Sequence, residues 1–419
     1  MNLDEFRRKQ WGMKRMLFGV SPPERRYLDK VFTGRSEELE TTRIGLYDAP
    51  RRVLVNGLFG IGKTVFIYEL LAELTRHHKS EVLAVYESMN IGPTDLPTTI
   101  LRGLARMLKG EDEEARHLDA TLSDLEITTG REREITGGVE VAGIGGKGAL
   151  TTTTTRVFKS VTNASYHIQR LIENAVQRKP DRRLVVAVDD LDKRDPETIR
   201  QSLQESRSIL HLECSYVLTG HPLGILRDAY STTGGIFDKQ VDLRLFTLDE
   251  RLEMMRNYLA AGQIKGARVA PLAPFTEAVA QIIADRSFGI PRVLNAICFH
   301  LLEEAARLRL PVVDIAELQS CWQAVHDSLR RGIQPDLRNL LETIQKDPQG
   351  FVPFDVPDEV FLRLNVDSYH ELIAKLDETV RSDWVVNIQE RYVPHPLLRP
   401  LTLPPTDTTA SGEPTENTS

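Results

Sequence analysis

The chain has 419 residues, of which 27% are charged and 41% are apolar, so its composition excludes a wholly disordered protein. Its formal net charge of −7 excludes a surface that is basic throughout, and any nucleic-acid contact would need a local basic patch. The three cysteines, Cys214, Cys298 and Cys321, have no metal-ligand spacing, which predicts buried thiols in a reducing compartment. No signal peptide is evident, and the longest apolar run, Leu184–Val188, is too short to cross a membrane, so we expect a cytoplasmic protein without membrane contact.

The chain begins with a locally basic stretch and then enters an alternating region. Five basic residues lie close together near the start: Arg7, Arg8, Lys9, Lys14 and Arg15. A helix is expected to begin at Ser36. Between about residues 52 and 248, short apolar runs alternate with longer helical patterns, which predicts an α/β fold with a parallel sheet covered on both faces. The predicted strands, apolar along nearly their whole length as buried strands are, are Arg52–Asn56, Val82–Glu87, Leu184–Asp189 and Ser215–Thr219.

One stretch interrupts this alternation. Residues 127–158 contain the glycine-rich run Gly143–Gly148 and five consecutive threonines, Thr151–Thr155, which favours a β-hairpin arm or a mobile loop over a helix. The glycines lack the strand-then-helix frame of a second phosphate loop. Two interpretations stay open: an inserted arm for self-assembly or partner contact, and a disordered insertion.

Helical patterns dominate the rest of the chain. The amphipathic segments after residue 248 are Leu248–Ala261, Thr276–Arg286, Pro291–Leu308 and Asp314–Gly332. Three short helices and the alternating segment Asp383–Val393 follow, which is the plan of a winged-helix domain with a two-stranded wing. The tail from Leu401 is rich in Pro, Thr, Ser and Glu, and it is expected to be disordered.

The segment Gly57–Thr64 matches the phosphate-loop pattern G-x-x-x-x-G-K-[ST] in full. It follows a predicted strand and opens a helical pattern, so backbone N–H groups and the helix N-terminus can surround phosphates. We predict that Lys63 reaches the β- and γ-phosphates of a bound nucleotide and that the Thr64 hydroxyl ligates Mg²⁺. The predicted cofactor-binding residues in and beside this loop are Gly57, Gly60, Ile61, Gly62, Lys63, Thr64 and Val65.

Paired acids end the third predicted strand. Asp189 is predicted to position Mg²⁺, and Asp190 to orient or deprotonate the attacking water. Many fast ATPases carry Glu at the second position, whereas the Asp190 side chain is one methylene shorter. We therefore expect slow hydrolysis.

Three further features concern the terminal phosphate. Thr219, at the end of the fourth predicted strand, is the candidate sensor of the γ-phosphate, with His221 as the weaker alternative. Arg292, on the first turn of the helix that follows Gly289 and Pro291, is positioned to reach back to the same phosphate. A basic residue, usually an arginine, can also act on the nucleotide of a neighbouring subunit. The candidates left open for this role are Arg227, Lys239 and Arg244.

These motifs resemble, in their order along the chain, those of AAA+ ATPases over about residues 30–310. Val217–Leu223 and Gly289–Asn295 are similar to segments of the branch that holds archaeal Orc/Cdc6 initiators and bacterial ExeA-, TniB- and MuB-type transposition ATPases. Asp190-Leu-Asp192 is closer to the DDLD motif of KAP and STAND NTPases. The resemblance implies ATP as the nucleotide, Phe32 and Arg35 near the adenine, Arg292 as sensor 2, and ATP-dependent ring-like or helical homo-oligomers.

The predicted organisation combines a P-loop ATPase core with a lid and a C-terminal module. The predicted domains are a basic N-terminal segment (1–40), the ATPase core (41–249) with the inserted arm (112–158), a helical lid (250–332), a winged-helix-like domain (333–400) and the tail (401–419).

Two functional hypotheses stay open. The first is an ATP-switched ATPase associated with duplex DNA through the winged helix and the basic N-terminus. Residues 331–400 hold eight basic and twelve acidic residues, however, and the third predicted helix, Ser368–Val380, is acidic, which disfavours it as a DNA reader. The second is a STAND-like regulatory or defence switch whose oligomer recruits a separate effector protein. A small-molecule kinase is disfavoured because such enzymes lack the long helical lid.

Overall fold

The computed structural model describes most of the chain. The described residues are 2–19, 24–79, 81–89, 95–123, 164–191, 196–220, 235–347, 349–354, 356–388 and 391–402. The chain divides into two compact units. The first, which we call the sheet unit, comprises Leu17–Ala261 and Phe288–Leu294; the second, the helical unit, comprises Met1–Met16, Gly262–Ser287 and Asn295–Ser419.

The sheet unit is built on five parallel strands in the order β2-β3-β4-β1-β5. The strands are β1 (Arg52–Asn56), β2 (Val82–Ser88), β3 (Arg183–Asp189), β4 (Ser215–Gly220) and β5 (Lys239–Asp242). The four predicted strands are present with bounds that differ by at most one residue at either end. The fifth was not predicted, because three of its four residues, at the edge of the sheet, are polar and it forms no apolar run.

Helices surround this sheet. In the sheet unit they are α1 (Arg25–Val31), α2 (Ser36–Asp48), α3 (Lys63–His77), α4 (Leu96–Leu108), α5 (residues 113–123), α6 (Ala164–Arg178), α7 (Pro196–Glu205), α8 (Arg207–Leu210) and α9 (Leu248–Gly262), whose last residue falls in the helical unit. Two apolar cores result. One joins Leu54 and Leu218 to α4 and α6, and the other joins Val55 and Val217 to α3. The sheet is therefore buried on both sides, as the apolar strands predict.

The helical unit contains the remaining elements. They are α10 (Leu3–Gln10), α11 (Glu277–Arg286), α12 (Pro291–Arg307, which starts in the sheet unit), α13 (Ile315–Arg331), α14 (Pro335–Gln345), α15 (Asp358–Leu364), α16 (Tyr369–Arg381), β6 (Val385–Ile388) and β7 (Arg391–Pro394). Strands β6 and β7 form an antiparallel hairpin after the three short helices. The order of these elements is the one the sequence predicts. Its interpretation as a winged helix stays a proposal.

Local capping explains where several of these helices begin. Asp314 accepts hydrogen bonds from the first turn of α13, Thr276 does so for α11, and Ser368 for α16. Within the described residues, no helix has both the length and the apolar composition needed to cross a bilayer. The glycine- and threonine-rich segment 124–163 and the tail from residue 403 lie outside the described residues, so the predictions made for them stay untested.

Candidate active site

The carboxyl ends of the parallel strands meet at one edge of the sheet, and the phosphate loop lies there, between β1 and α3. Three of its glycines adopt a positive φ: 157° at Gly57, 76° at Gly60 and 99° at Gly62. A Cβ at Gly60 would lie 2.9 Å from the Cβ of Arg292, and one at Gly57 would lie 2.6 Å from the Ile61 side chain. The loop thus needs glycine for both its backbone conformation and its close packing.

The Lys63 side chain is buried and folded over this loop. Its Nζ donates hydrogen bonds to the carbonyl oxygens of Gly57, at 2.9 Å, and Leu58, at 3.3 Å. Lys63 and Thr64 also open α3, so their backbone N–H groups belong to the first turn of the helix. An ammonium group and a helix N-terminus are therefore brought together at the loop, which is the arrangement that suits a polyphosphate.

The Asp189 carboxylate, 2% exposed at the end of β3, accepts four hydrogen bonds. Its Oδ2 accepts from the Thr64 hydroxyl at 2.6 Å and the Tyr86 hydroxyl at 3.0 Å. Its Oδ1 accepts from the Thr219 hydroxyl at 2.6 Å and the Asp190 N–H at 2.8 Å. Four chain segments converge on this one carboxylate: α3, β2, β3 and β4. Its orientation is therefore fixed from several sides.

Asp190 has a left-handed backbone conformation, with φ of 66°. Its N–H also donates to the Thr219 hydroxyl at 3.0 Å, and its Oδ2 accepts a hydrogen bond from the Ser88 hydroxyl at 2.7 Å. Asp is one of the few non-glycine residues that tolerate this backbone region. Ser88, at the end of β2, therefore holds the second acid from the neighbouring strand.

Tyr86 connects the same strand to α3. Its ring lies 4.4 Å from that of Tyr68, and the Arg25 guanidinium lies 4.5 Å above the Tyr68 ring. Burial, followed by the adjacent Asp189 carboxylate, raises the pKa of Tyr86 well above its ordinary value. The Tyr86 hydroxyl accordingly stays protonated as a donor to Asp189.

Arg35 lies beneath the phosphate loop. It is 5% exposed, its guanidinium donates to the Ile61 carbonyl oxygen at 2.7 Å, and it lies 4.7 Å from the centroid of the Phe246 ring. Burial lowers the pKa of Arg35 to about 10, although nearby Glu38 and Glu250 oppose this. Its guanidinium also donates to the Arg244 carbonyl oxygen at 3.4 Å, so Arg35 joins the loop backbone to the segment before α9. The expected place of Arg35 near the adenine stays untested.

Arg292 contacts the loop from the other side. Its N–H donates to the Gly60 carbonyl oxygen at 3.2 Å, and its guanidinium lies 4.7 Å from the centroid of the Phe59 ring. Gly289 permits this approach: it has φ of 76°, its carbonyl accepts from the Phe246 N–H, and a Cβ there would lie 2.7 Å from the Phe246 carbonyl oxygen. The start of α12 is thus attached to the phosphate loop within the sheet unit.

The remaining predicted residues occupy varied positions. Ile61 is fully buried and Phe32 packs against the core beside α3, while Val65 is half-buried on the first turn of that helix. Arg244 pairs with Glu250, with its nitrogens 2.6 and 2.7 Å from the carboxylate oxygens, and Lys239 donates to the Thr41 hydroxyl. His221, Arg227 and Asp192 lie outside the described residues.

Sequence reasoning missed three side chains of this site. Ser88 and Tyr86 lie outside any motif, and Phe59 occupies a variable position of the phosphate loop. Ser88 and Tyr86 reach the acids because β2 pairs with β3 in register, with Ser88 opposite Asp189. The prediction of β2 placed its end one residue early, at Glu87. If β2 is placed beside β3 in a parallel sheet, its last residues lie next to Asp189 and Asp190. This adjacency was the signal that could have revealed Ser88 and Tyr86.

The donors at this edge fit a magnesium ion held jointly with a nucleotide. Thr64 offers a hydroxyl and Asp189 a carboxylate, and Mg²⁺ usually takes one or two protein oxygens while phosphates and waters supply the rest. Among the described residues, no group of three His, Cys, Asp or Glu side chains could hold a metal without such a co-ligand.

Comparison with known proteins agrees with this geometry. Residues 47–219 match the KAP family P-loop domain, a range that includes the phosphate loop, both acids and Thr219. No curated protein matches the sequence significantly.

Solved structures match most of the chain at low identity. The Aeropyrum pernix ORC2 protein, solved as ADPNP–ADP complexes, is similar with a TM-score of 0.50 and 12% identity, over 90% of this chain and 94% of that chain. The Aeropyrum pernix ORC1 protein in complex with DNA gives a TM-score of 0.49 and 15% identity, over 93% of each chain. The Thermotoga maritima RuvB Holliday junction branch migration motor gives 0.42 and 12%, over 91% of this chain and 96% of that chain. The ORC2 likeness shows a common fold, and at this identity it shows the fold alone.

Proposed function

Because the chain carries a P-loop NTPase domain with the fold of Orc/Cdc6-type AAA+ ATPases and a KAP-like P-loop region, we propose that it binds and slowly hydrolyses ATP with Mg²⁺ and acts as a nucleotide-controlled switch. One observation carries the proposal. The phosphate loop, the Thr64 hydroxyl and the Asp189–Asp190 pair converge at one edge of the sheet, with Thr64 Oγ1 and Asp189 Oδ2 2.6 Å apart.

Binding is assigned to the loop and the start of α3. The backbone N–H groups of residues 60–64 would hold the phosphates, and Lys63, which donates to the Gly57 and Leu58 carbonyls, would donate to phosphate oxygens instead. Gly57, Gly60 and Gly62 keep the loop open to that approach, and Arg35 keeps its backbone in place through the Ile61 carbonyl. When bound, Mg²⁺ neutralises phosphate charge and orients the terminal phosphate. Thr64 and Asp189 are the side chains that would hold it.

Hydrolysis is assigned to Asp190, with Thr219 as its positioning residue. Thr219 is fully buried, and its hydroxyl contacts both acids, so it fixes their relative orientation. Asp190 is half-buried and oriented by Ser88, which suits a carboxylate that orients or deprotonates water. Its short side chain supports a slow turnover.

Switching is assigned to the start of α12. Arg292 contacts the phosphate loop both through its backbone and by stacking on Phe59, so a change in the loop on nucleotide binding would be transmitted to the helix that follows. Assembly into homo-oligomers would follow from this coupling. For the trans-acting arginine, Arg244 would first have to leave its pair with Glu250.

Two partners fit such a switch. Duplex DNA is the first. A separate effector protein, as in STAND-like or defence ATPases, is the alternative, and the acidic composition of residues 331–400 favours it for the C-terminal helices and hairpin.

Mass photometry with ATP, with ADP and without nucleotide would test the switch, alongside a fluorescent-nucleotide titration with and without Mg²⁺. Lys63→Ala is expected to abolish nucleotide binding and assembly. Lys79→Ala, just beyond the other end of α3 and exposed, is the matched control and should behave as the parent protein.

Assembly that requires ATP and Lys63 would support the switch. Tight nucleotide binding without any change in mass would retain the ATPase and overturn the oligomeric part. No nucleotide binding by the parent protein would overturn the proposal as a whole.

A further inference from the structure

The basic N-terminal stretch belongs to the helical unit, where hydrogen bonds join it to the loop after α9. The N–H groups of Lys14 and Arg15 donate to the Gly262 carbonyl at 2.8 and 3.1 Å, and the Ile264 N–H donates to the Gly12 carbonyl at 2.8 Å. Met13 and Gln263 form an antiparallel bridge. Residues 12–15 and 262–264 therefore lie side by side.

A third segment, which comprises the last residues of α12 and those that follow it, contacts the same stretch. The indole N–H of Trp11 donates to the Leu310 carbonyl oxygen at 3.0 Å, and Trp11 itself is 1% exposed. This buried ring fixes the N-terminal stretch against residues 305–313. Three segments that are far apart in sequence thus contact one another within the helical unit.

The three segments carry basic residues and no acidic ones of their own, although the flanking acids Asp4, Glu5 and Glu304 lie beside them. Residues 6–15, 262–275 and 305–313 together contain nine Lys and Arg residues and no Asp or Glu, whereas the whole chain has a net charge of −7. The basic residues are Arg7, Arg8, Lys9, Lys14, Arg15, Lys265, Arg268, Arg307 and Arg309. All except the half-buried Arg7 are exposed.

Some of these charges are compensated and others are not. Arg7 lies 3.8 Å from Asp4, Lys9 lies 2.7 Å from Glu5, and Arg307 pairs with Glu304. In the described part of the chain, no ion pair involves Arg8, Lys14, Lys265 or Arg268. Concentrated positive charge on a net-negative protein costs repulsion that an anionic partner removes.

We infer that these three segments form a binding surface for the phosphate backbone of duplex DNA, which we call the basic surface. The inference deepens the DNA-associated form of the proposed function and rests on it only for the link to ATP. It assigns the DNA contact to residues other than those of the acidic C-terminal helices.

The aromatic residues of the surface bear on the choice between duplex DNA, single-stranded nucleic acid and a membrane as its partner. Phe6, Trp11 and Phe275 are 3%, 1% and 4% exposed, so none offers a ring face for stacking unpaired bases. Nor can they insert into a membrane interface as aromatic anchors. Exposed Lys and Arg without exposed aromatic rings favour backbone contact with a duplex.

Fluorescence anisotropy of a labelled random-sequence duplex over a range of NaCl concentrations tests the surface. The variant replaces Arg8, Lys14, Lys265 and Arg268 with Gln. Loss of four phosphate contacts should weaken binding by at least about a hundredfold near 0.1 M salt and reduce the slope of log K against log salt by about 3 to 4. The matched control replaces Arg330, Arg331, Arg338 and Lys346, four exposed basic residues of the same unit, and should retain most of the affinity.

Several results would contradict DNA binding by the basic surface. No duplex binding by the parent protein, or an equal loss in the control, would overturn the basic surface. So would tighter binding of a single strand than of the duplex, or a variant that loses binding to phosphatidylserine vesicles but keeps it to DNA. Lys63→Ala separates the two proposals: it should lose nucleotide binding and any ATP-dependent gain while it keeps the salt-sensitive contact with DNA.

Discussion

The carboxyl edge of the sheet and the basic surface both depend on charged side chains, but they hold them differently. At the sheet edge, Asp189 is 2% exposed and accepts four hydrogen bonds at 2.6 to 3.0 Å. On the basic surface, Arg8, Lys14, Lys265 and Arg268 are exposed and make no ion pair among the described residues. The first region acts through geometry, so one atom can matter; the second acts through summed charge, so single residues matter little.

A large effect is expected from removing one hydroxyl at the sheet edge. Thr64→Val preserves the shape of the side chain but removes the donor to Asp189 and the proposed Mg²⁺ ligand. We expect ATP hydrolysis to fall by at least about a hundredfold, in line with the loss of a preorganised charge-stabilising contact. A steady-state phosphate-release assay measures this.

Thr75→Val is the control for that change. Thr75 lies on the same helix, and among the described residues its hydroxyl donates to the Leu71 carbonyl alone, at 2.7 Å. A Thr64→Val enzyme that keeps half of the parent rate would show that the hydroxyl is not part of the site.

Changing the length of one acid tests the geometry further. Asp190→Glu should raise the single-turnover rate severalfold, because the longer side chain brings its carboxylate closer to the attacking water. Asp190→Asn should lower the rate by about 10² to 10⁴, the usual contribution of a general base. An unchanged or lower rate for Asp190→Glu would count against the idea that side-chain length limits turnover.

Ser88 offers a smaller and more specific perturbation. Ser88→Ala removes the 2.7 Å hydrogen bond to Asp190, and we expect a three- to tenfold slower hydrolysis step with unchanged ATP affinity, or about 1 kcal/mol. In an Asp190→Asn background the same change should have almost no effect, because the pair acts together. Equal losses in both backgrounds would mean that Ser88 acts only on the fold.

Motifs and strand bounds could be predicted from the sequence, whereas the contacts between neighbouring strands could not. The phosphate loop and the acid pair are contiguous motifs, and the four apolar strands could be predicted to within one residue at each end. The roles of Ser88 and Tyr86 could not be predicted, since they arise from the register of β2 against β3.

The basic surface was only partly visible in the sequence. Arg7 to Arg15 form a run in the sequence, but Lys265 and Arg309 join them only through folding, by way of the Gly12–Ile264 and Trp11–Leu310 contacts.

A single charge on the basic surface should give a graded loss. Lys265→Gln removes one contact of several, so the duplex affinity should fall by about two- to eightfold near 0.1 M salt, with a salt slope smaller by about 0.9. Anisotropy titrations at several salt concentrations would measure both. A loss as large as that of the fourfold variant would show that Lys265 makes a specific contact and that summed charge is the wrong description.

The ion pair of Glu250 with Arg244 is intermediate in burial between the sheet edge and the basic surface. Removing the Glu250 charge should give the smallest effect. Its side chain is 15% exposed, but its partner Arg244 is 52% exposed, and hydrogen bonds from Arg244, with a contribution from the Thr247 N–H, lower the pKa of Glu250 to about 2. Because the folded-state pKa lies below the ordinary 4.5, the stabilisation is fully present above about pH 4.5 and is lost as the pH falls towards 2. Solvent screening of the exposed guanidinium keeps this stabilisation below about 1 kcal/mol.

Glu250→Gln should therefore lower the free energy of unfolding by about 0.5 to 1 kcal/mol at pH 7, and by progressively less below pH 4.5, in urea titrations. Glu253→Gln, an exposed position on the same helix, should change neither value. A loss for Glu250→Gln that exceeds about 2 kcal/mol would place this ion pair with the buried network of the sheet edge, where breaking one partner is costly.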